Sequence, residues 1–306
     1  MPITASDTYH GYSVTDYVTV NSDYGTEDDL KRLLDEAHSR DMKVIMDLVI
    51  NHTSINHPWF QAAKSDENSE YRDYYRWVYK TDKKDCNHLL DKSSWGDMVW
   101  HQEGDFYYYG VFGADMPDLN YNNPDVRQAA KDAAGHWLEL GLDGFRMDAA
   151  VHIYGTHEFK QQEDSEAANI TWWNEFAGYC ESINPDVYLV GEVWQDDKVL
   201  ENYVQPFDTK FDFAIQQKIL NCEQKGMAVP GFGDSLSVAI ENIQNKYDGV
   251  DANYLNGIFG ANHDQDRIAS SVNSLDKARQ IAAVYMTLPG NPYIYYGEEL
   301  GMYGSK

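Results

Sequence analysis

The stretch Lys43-Val44-Ile45-Met46-Asp47-Leu48-Val49-Ile50, followed at once by Asn51-His52, constrains the fold of this chain more than any other. A near-continuous apolar run fits a parallel strand covered on both faces, because a strand with one wet face alternates apolar and polar residues. Parallel strands need crossover connections, usually helices, so the run calls for a chain in which strands and helices alternate. The sequence around it supplies them. Gly25-Thr26-Glu27-Asp28-Asp29-Leu30 starts a helix, with Thr26 as N-cap, acidic residues in the first turn, and Leu30, Leu33, Leu34 and Ala37 on one face.

Further helices are expected from about Pro124 to Leu140, around 171–184, near 212–225 and 235–247, and at 276–288. The first of these has proline in its opening turn and Gly141 just past its end. Strands are expected at 143–148, Val187–Glu192, Tyr254–Phe259 and Pro292–Tyr296. Met1-Pro2-Ile3 reads as the tail of an earlier strand, and Tyr9–Tyr17 as an aromatic loop following it. Between Thr53 and Asp118 the rhythm stops in a stretch rich in Tyr, Trp, Asp, Lys and Gly, which reads as a small inserted subdomain.

Polar residues follow the apolar runs: Asn51 and His52, Asp148, Glu192, His263 and Asp264, and Glu298. A (β/α)₈ barrel accounts for this pattern, since its chemistry is assembled from the carboxyl ends of several strands. A doubly wound open sheet would carry a glycine-rich phosphate loop after an early strand, and none is present.

The net charge of −26 opposes a nucleic-acid partner, which is bound through clustered Lys and Arg. A neutral substrate suits such a chain better. The 23 tyrosines, 8 tryptophans and 11 phenylalanines are plentiful; most are expected to pack in the core and at its rim, and such rings also suit stacking on sugar faces. Cys86, Cys180 and Cys222 are odd in number and widely spaced, which argues against a disulfide framework. No apolar run reaches the roughly 20 residues needed to span a bilayer, so no membrane segment is expected in this chain.

Within Gly144-Phe145-Arg146-Met147-Asp148, period-2 alternation puts Arg146 and Asp148 on one face of a strand end. A guanidinium there keeps a carboxylate ionised, as a nucleophile near neutral pH requires.

The segments Asp47-Leu-Val-Ile-Asn-His52, Gly144-Phe-Arg-Met-Asp-Ala-Ala-Val-His152, Gly191-Glu-Val-Trp194 and Phe259-Gly-Ala-Asn-His-Asp264, in that order, resemble the four signature segments of the α-amylase family, family 13 of the glycoside hydrolases. Met116-Pro-Asp-Leu-Asn120 resembles a fifth, near the end of that family's inserted domain B. The resemblance implies an α/β fold, a (β/α)₈ barrel lacking its first strand, with residues 1–52 and 119–306 in the barrel and 53–118 as domain B. It also implies that the final helix and the C-terminal β-domain are missing, so the chain is expected to be a fragment that is poorly active alone and part of a monomer when full length.

The roles implied are specific. Asp148 is the expected nucleophile, Glu192 the general acid and then base, with its pKa raised by the neighbouring carboxylates, and Asp264 the stabiliser of the transition state. Arg146 orients Asp148, Tyr12 stacks on the reacting sugar, and His52 and His263 hydrogen-bond it. Calcium is the implied cofactor, between domains A and B, held by Asn51, Asp118 and the backbone carbonyl of His152. The family's exo-acting glucosidases usually carry aspartate three residues before the stacking tyrosine. Tyr9 stands there instead, which points to an endo-acting α-amylase on α-1,4-glucans. An α-1,6-glucosidase, a glucan transferase and a catalytically silent scaffold are the alternatives, the last opposed by retention of all three acidic residues.

Overall fold

A computed structural model describes residues 1–81, 89–155, 165–195, 199–225 and 232–306, with the side chains of 222–225 and 232–235 left aside. Cys86 and the Cys222 side chain fall outside the described part, and Cys180 is buried and free. The chain divides into two compact units, Met1–Leu189 and Val190–Lys306.

The first unit opens with a hairpin in which β1 (Thr4–Ser6) pairs antiparallel with β2 (Val14–Val20). The sequence from Val14 to Tyr17, read above as loop, is therefore strand. Its β-branched residues favour the extended backbone, and Val14 and Tyr17 are buried. Helix α1 (Glu27–His38) begins with a capping box between Thr26 and Asp29. It buries Leu30, Leu34 and Ala37, whereas Leu33, expected on the same face, is 56% exposed. The buried stripe follows the i, i+4, i+7 row, and Leu33 lies one step to its side.

Strand β3 (Ile45–Leu48) comes next, and the Asp47 amide donates to the Met1 carbonyl at 3.4 Å. The stretch after it is not without structure. Helix α2 (Pro58–Ser65) precedes a three-stranded antiparallel sheet of β4 (Trp77–Tyr79), β5 (Trp100–Glu103) and β6 (Phe106–Tyr109), with β6 in the middle. Its aromatic residues pack on α2 through Phe60, whose ring meets those of Tyr75, Trp77 and Tyr108.

Helix α3 (Pro124–Leu140) ends on Gly141 in the left-handed conformation, and β7 (Gly144–Met147) lies parallel to β3 from Ile45↔Gly144 to Leu48↔Met147. Gly144 is required here: a Cβ would sit 1.9 Å from the Tyr188 carbonyl oxygen. Helix α4 (Ser165–Ile183) starts well before the expected 171 and buries Trp172, Trp173 and Phe176.

Strand β8 (Tyr188–Gly191) leads into the second unit, where Val190 and Gly191 pair in parallel with β9 (Thr209–Lys210), a strand too short to show in the sequence. Helices α5 (Phe213–Lys225) and α6 (Phe232–Asp248) follow, then β10 (Gly257–Phe259), α7 (Ile268–Val272), α8 (Leu275–Tyr285) and β11 (Asn291–Tyr293), which is parallel to β10. Strands β10 and β11 are shorter than their apolar runs because the leftover aromatics pack sideways: Tyr254 on Tyr247, and Tyr295 and Tyr296 on the Arg267 guanidinium. Among the described residues, no helix is long and apolar enough to cross a membrane.

Candidate active site

In the first unit the parallel pairing of β3 and β7 sets Asp47 beside Arg146. Arg146 Nη1 donates to Asp47 Oδ1 at 2.7 Å and also to Asp148 Oδ1. One guanidinium thus bridges two carboxylates, with all three side chains largely shielded from water. The Tyr12 hydroxyl, from the tip of the β1–β2 hairpin, donates to Asp47 Oδ2 at 2.9 Å. Burial, reinforced by the Asp47 charge, holds the Tyr12 hydroxyl protonated far above its ordinary range. Asp47 is the member of this group that sequence reasoning missed. Its signal was a lone carboxylate inside an apolar run, which needs a partner that only strand register can name.

The backbone after Asp148 is also fixed. Ala149 takes a left-handed conformation at φ 51°, a strain of about 1 kcal/mol for a residue with a Cβ. Helix α4 holds the turn in place. Trp173 Nε1 donates to the Ala150 carbonyl at 2.7 Å, and Asn169 Nδ2 to the Val151 carbonyl at 2.8 Å. Asn169 Oδ1 also accepts from the Tyr154 amide at 2.9 Å.

His52 follows the end of β3 and is buried. Its Nε2 donates to the Tyr12 carbonyl at 3.1 Å, its Nδ1 faces the Asn51 amide at 3.4 Å, and desolvation lowers its pKa to about 4. The ring is therefore neutral at pH 7, with both nitrogens engaged inside the protein. It joins Tyr12 to the Asn51–Asp118 region, where His52 and Asp118 form an isolated antiparallel bridge.

Asn51 and Asp118 are almost completely buried, and the Asn51 amide hydrogen-bonds the Asp118 carboxylate. Among the described residues, Asn51 Oδ1 and Asp118 Oδ2 have no hydrogen-bond partner. Two buried, unsatisfied oxygens of this kind fit a hard cation, which prefers carboxylate and carbonyl donors. The His152 carbonyl accepts from the Gly155 amide at 3.0 Å and retains a second lone pair, while its ring packs edge-on against Phe112 and Trp95. Among the described residues, no group of three or more His, Cys, Asp or Glu side chains is placed to hold a metal. A cation here would rest on the amide, carboxylate and backbone oxygens instead.

In the second unit, Glu192 follows β8 and is half-buried, and the neighbouring Trp194 ring stacks on Phe213 at 4.3 Å. After β10, Asp264 accepts from Lys306 Nζ at 3.0 Å and has His263 Nε2 3.2 Å from its other oxygen, and its amide donates to Asn262 Oδ1 at 3.0 Å. Glu298, beyond β11, accepts from the Tyr285 hydroxyl at 2.9 Å, and burial raises its pKa. In each unit, then, the chemistry-bearing side chains lie just past the carboxyl ends of parallel strands. That is where an α/β fold of this kind does chemistry.

The model of the α-amylase catalytic domain matches residues 1–306. Alpha-amylase 3 of Dictyoglomus thermophilum is 42% identical over 309 residues, covering 100% of this chain and 56% of that protein. A 4-alpha-glucanotransferase of Thermotoga neapolitana is 35% identical, covering 99% of this chain and 63% of its own length. The crystal structure of alpha-amylase from H.orenii superposes with a TM-score of 0.87 at 42% identity, covering 100% of this chain and 60% of that one. The chain thus spans about three fifths of the proteins it matches. With the signature segments in order and their acidic residues at strand ends, the chain belongs to the α-amylase catalytic-domain family, family 13 of the glycoside hydrolases.

Proposed function

We propose that the protein cleaves internal α-1,4-glucosidic bonds of starch, glycogen or maltooligosaccharides with retention of configuration. The observation that carries this reading is the Arg146 bridge, which holds Asp148 at the end of β7 as an oriented, charge-paired carboxylate. Asp148 attacks the anomeric carbon while Glu192 protonates the departing glycosidic oxygen, giving a covalent glycosyl-enzyme. Glu192 then takes a proton from a water whose oxygen attacks the anomeric carbon, breaking the ester bond to Asp148 and releasing the sugar with its configuration retained. This double displacement needs the two carboxyl groups only about 5–5.5 Å apart. Asp264 holds sugar hydroxyls and stabilises the positive charge that develops on the ring. Tyr12 stacks on the same sugar and His263 hydrogen-bonds it, while His52, with both ring nitrogens engaged inside the protein, holds Tyr12 in place rather than reaching the sugar.

The frame we propose for these residues is a (β/α)₈ barrel from 1–52 and 119–306 with 53–118 inserted as domain B. We also propose structural calcium at Asn51, Asp118 and the His152 carbonyl, on the strength of the two unsatisfied oxygens there. Bound there, the ion would tie segments together and leave the proton transfers to the side chains named above.

Tyr9 favours endo action: it is 96% exposed and cannot bind the terminal glucose hydroxyls as an aspartate would. A second reading, transfer of glucan chains, is favoured by the similarity to the 4-alpha-glucanotransferase. Product analysis with the full-length protein on starch, maltose and isomaltose separates them. Mixed short maltooligosaccharides of α-configuration are expected from starch. Longer chains grown from maltooligosaccharides would favour transfer, and glucose released only from isomaltose would overturn the endo reading.

A further inference from the structure

Close to the proposed cation site the first unit buries a charge that the catalytic reading does not use. Arg76 lies just before β4, and its Nε and Nη2 are buried with no hydrogen-bond partner among the described residues. The backbone brings it to the site. The Tyr109 amide donates to the Arg76 carbonyl at 3.2 Å, the Asp118 amide to the Tyr109 carbonyl at 3.0 Å, and the Leu119 amide to the Asn51 carbonyl at 2.9 Å. The guanidinium sits over the Tyr109 ring, 4.3 Å from its centre, and its charge acts on the Asp118 carboxylate. Arg76, Tyr109, Asn51 and Asp118 all contribute buried polar atoms that have no partner among the described residues.

An arginine keeps its proton even when buried, so this positive charge is permanent. A divalent ion on Asn51 Oδ1 and Asp118 Oδ2 would enter a poorly screened region already holding a cation and offering the single carboxylate of Asp118. Repulsion between like charges at such range is large, because little water separates them.

We propose that Arg76 is a built-in electrostatic antagonist of the junction cation, tuning the site to weak, exchangeable calcium binding. The inference rests on the calcium reading above. In this arrangement the guanidinium supplies part of the charge Asp118 needs when the ion is gone, so the junction stays folded in both states. Occupancy then follows the calcium concentration around the protein.

The test is calorimetric titration of calcium into chelator-treated full-length protein, comparing wild type with Arg76→Met, Arg76→Gln and Arg76→Lys, each checked for native near-UV circular dichroism. The two neutral variants are expected to bind calcium about tenfold tighter or more, while the lysine variant, which keeps the charge, stays near wild type. The calcium-induced rise in thermal midpoint should grow in the same two variants. Dissociation constants within about twofold across all four proteins would overturn the inference while leaving the calcium reading standing. Failure of all four to bind at millimolar calcium would overturn both.

Discussion

Two neighbouring parts of the first unit handle buried charge in opposite ways. At the ends of β3 and β7, Arg146, Asp47, Asp148 and Tyr12 form a network in which the guanidinium answers two carboxylates and the phenol answers one of them. A few residues further on, Asn51, Asp118 and Tyr109 are buried and Arg76 is half-buried, yet among the described residues each leaves at least one buried polar atom without a partner. Satisfied networks in a low-dielectric interior are stiff and hold side chains for reaction. Unsatisfied ones store a cost of about 1–3 kcal/mol per group, which a ligand of the right charge can relieve. The contrast teaches that one region spends its buried charge on fixing its own side chains, while the other leaves buried charge and polar atoms unanswered.

The strongest way to break this comparison is Asp148→Asn in the full-length protein. It should lower kcat on maltooligosaccharides by on the order of 10⁴-fold or more, with folding intact by circular dichroism. Turnover near wild type would mean that the paired network is structural only. Next in size is Asp47→Asn, which removes one of the carboxylates held by Arg146. It is expected to destabilise the protein by about 3–5 kcal/mol in urea melts, because a buried guanidinium loses a charge partner. A change below 1 kcal/mol would place little weight on the bridge.

His57 offers an intermediate case, a buried group satisfied only when neutral. As N-cap of α2 its Nδ1 accepts from the Trp59 amide at 3.1 Å, and burial lowers its pKa to about 4. The folded state therefore binds fewer protons than the unfolded one between about pH 4 and the ordinary histidine value near 6.5. Its contribution is fully present above 6.5 and is lost as the pH falls towards 4. Thermal midpoints should drop across that window, and His57→Asn, a capping residue that does not titrate, should flatten the slope. An unchanged slope would show that other groups set the acid limb. The smallest effect is expected from Tyr109→Phe. It deletes a hydroxyl that has no partner and should leave stability within about 0.5 kcal/mol of wild type. A loss above 1 kcal/mol would reveal a bond to ordered water and reduce the contrast between the two regions.

The parts of the site that could be read without coordinates are those encoded within a few residues. Arg146 and Asp148 share a strand face by alternation, so their pairing was expected and is observed. The helix Pro124–Leu140 carries its own start and stop signals and is found with those limits. Leu33 was misplaced because a stripe of leucines is wider than the contact it makes. The strand Val14–Val20 was hidden by aromatic residues that look like loop, and β9 by its length of 2 residues. Asn169 and Trp173 lie some twenty residues beyond the turn they hold, a distance at which no spacing rule operates.

By itself the sequence determined the alternation of helices and parallel strands, the polar residues closing the apolar runs, and the family. Each of these is written in local patterns that hydrophobic burial and backbone geometry read directly. Only the tertiary structure decided that Asp47 shares Arg146 with Asp148, and that the Arg76 guanidinium lies over Tyr109 with its charge acting on Asp118. Those pairings join residues far apart along the chain. They are set by strand register and by which side chains are shut away from water together, quantities that exist only once the chain has folded.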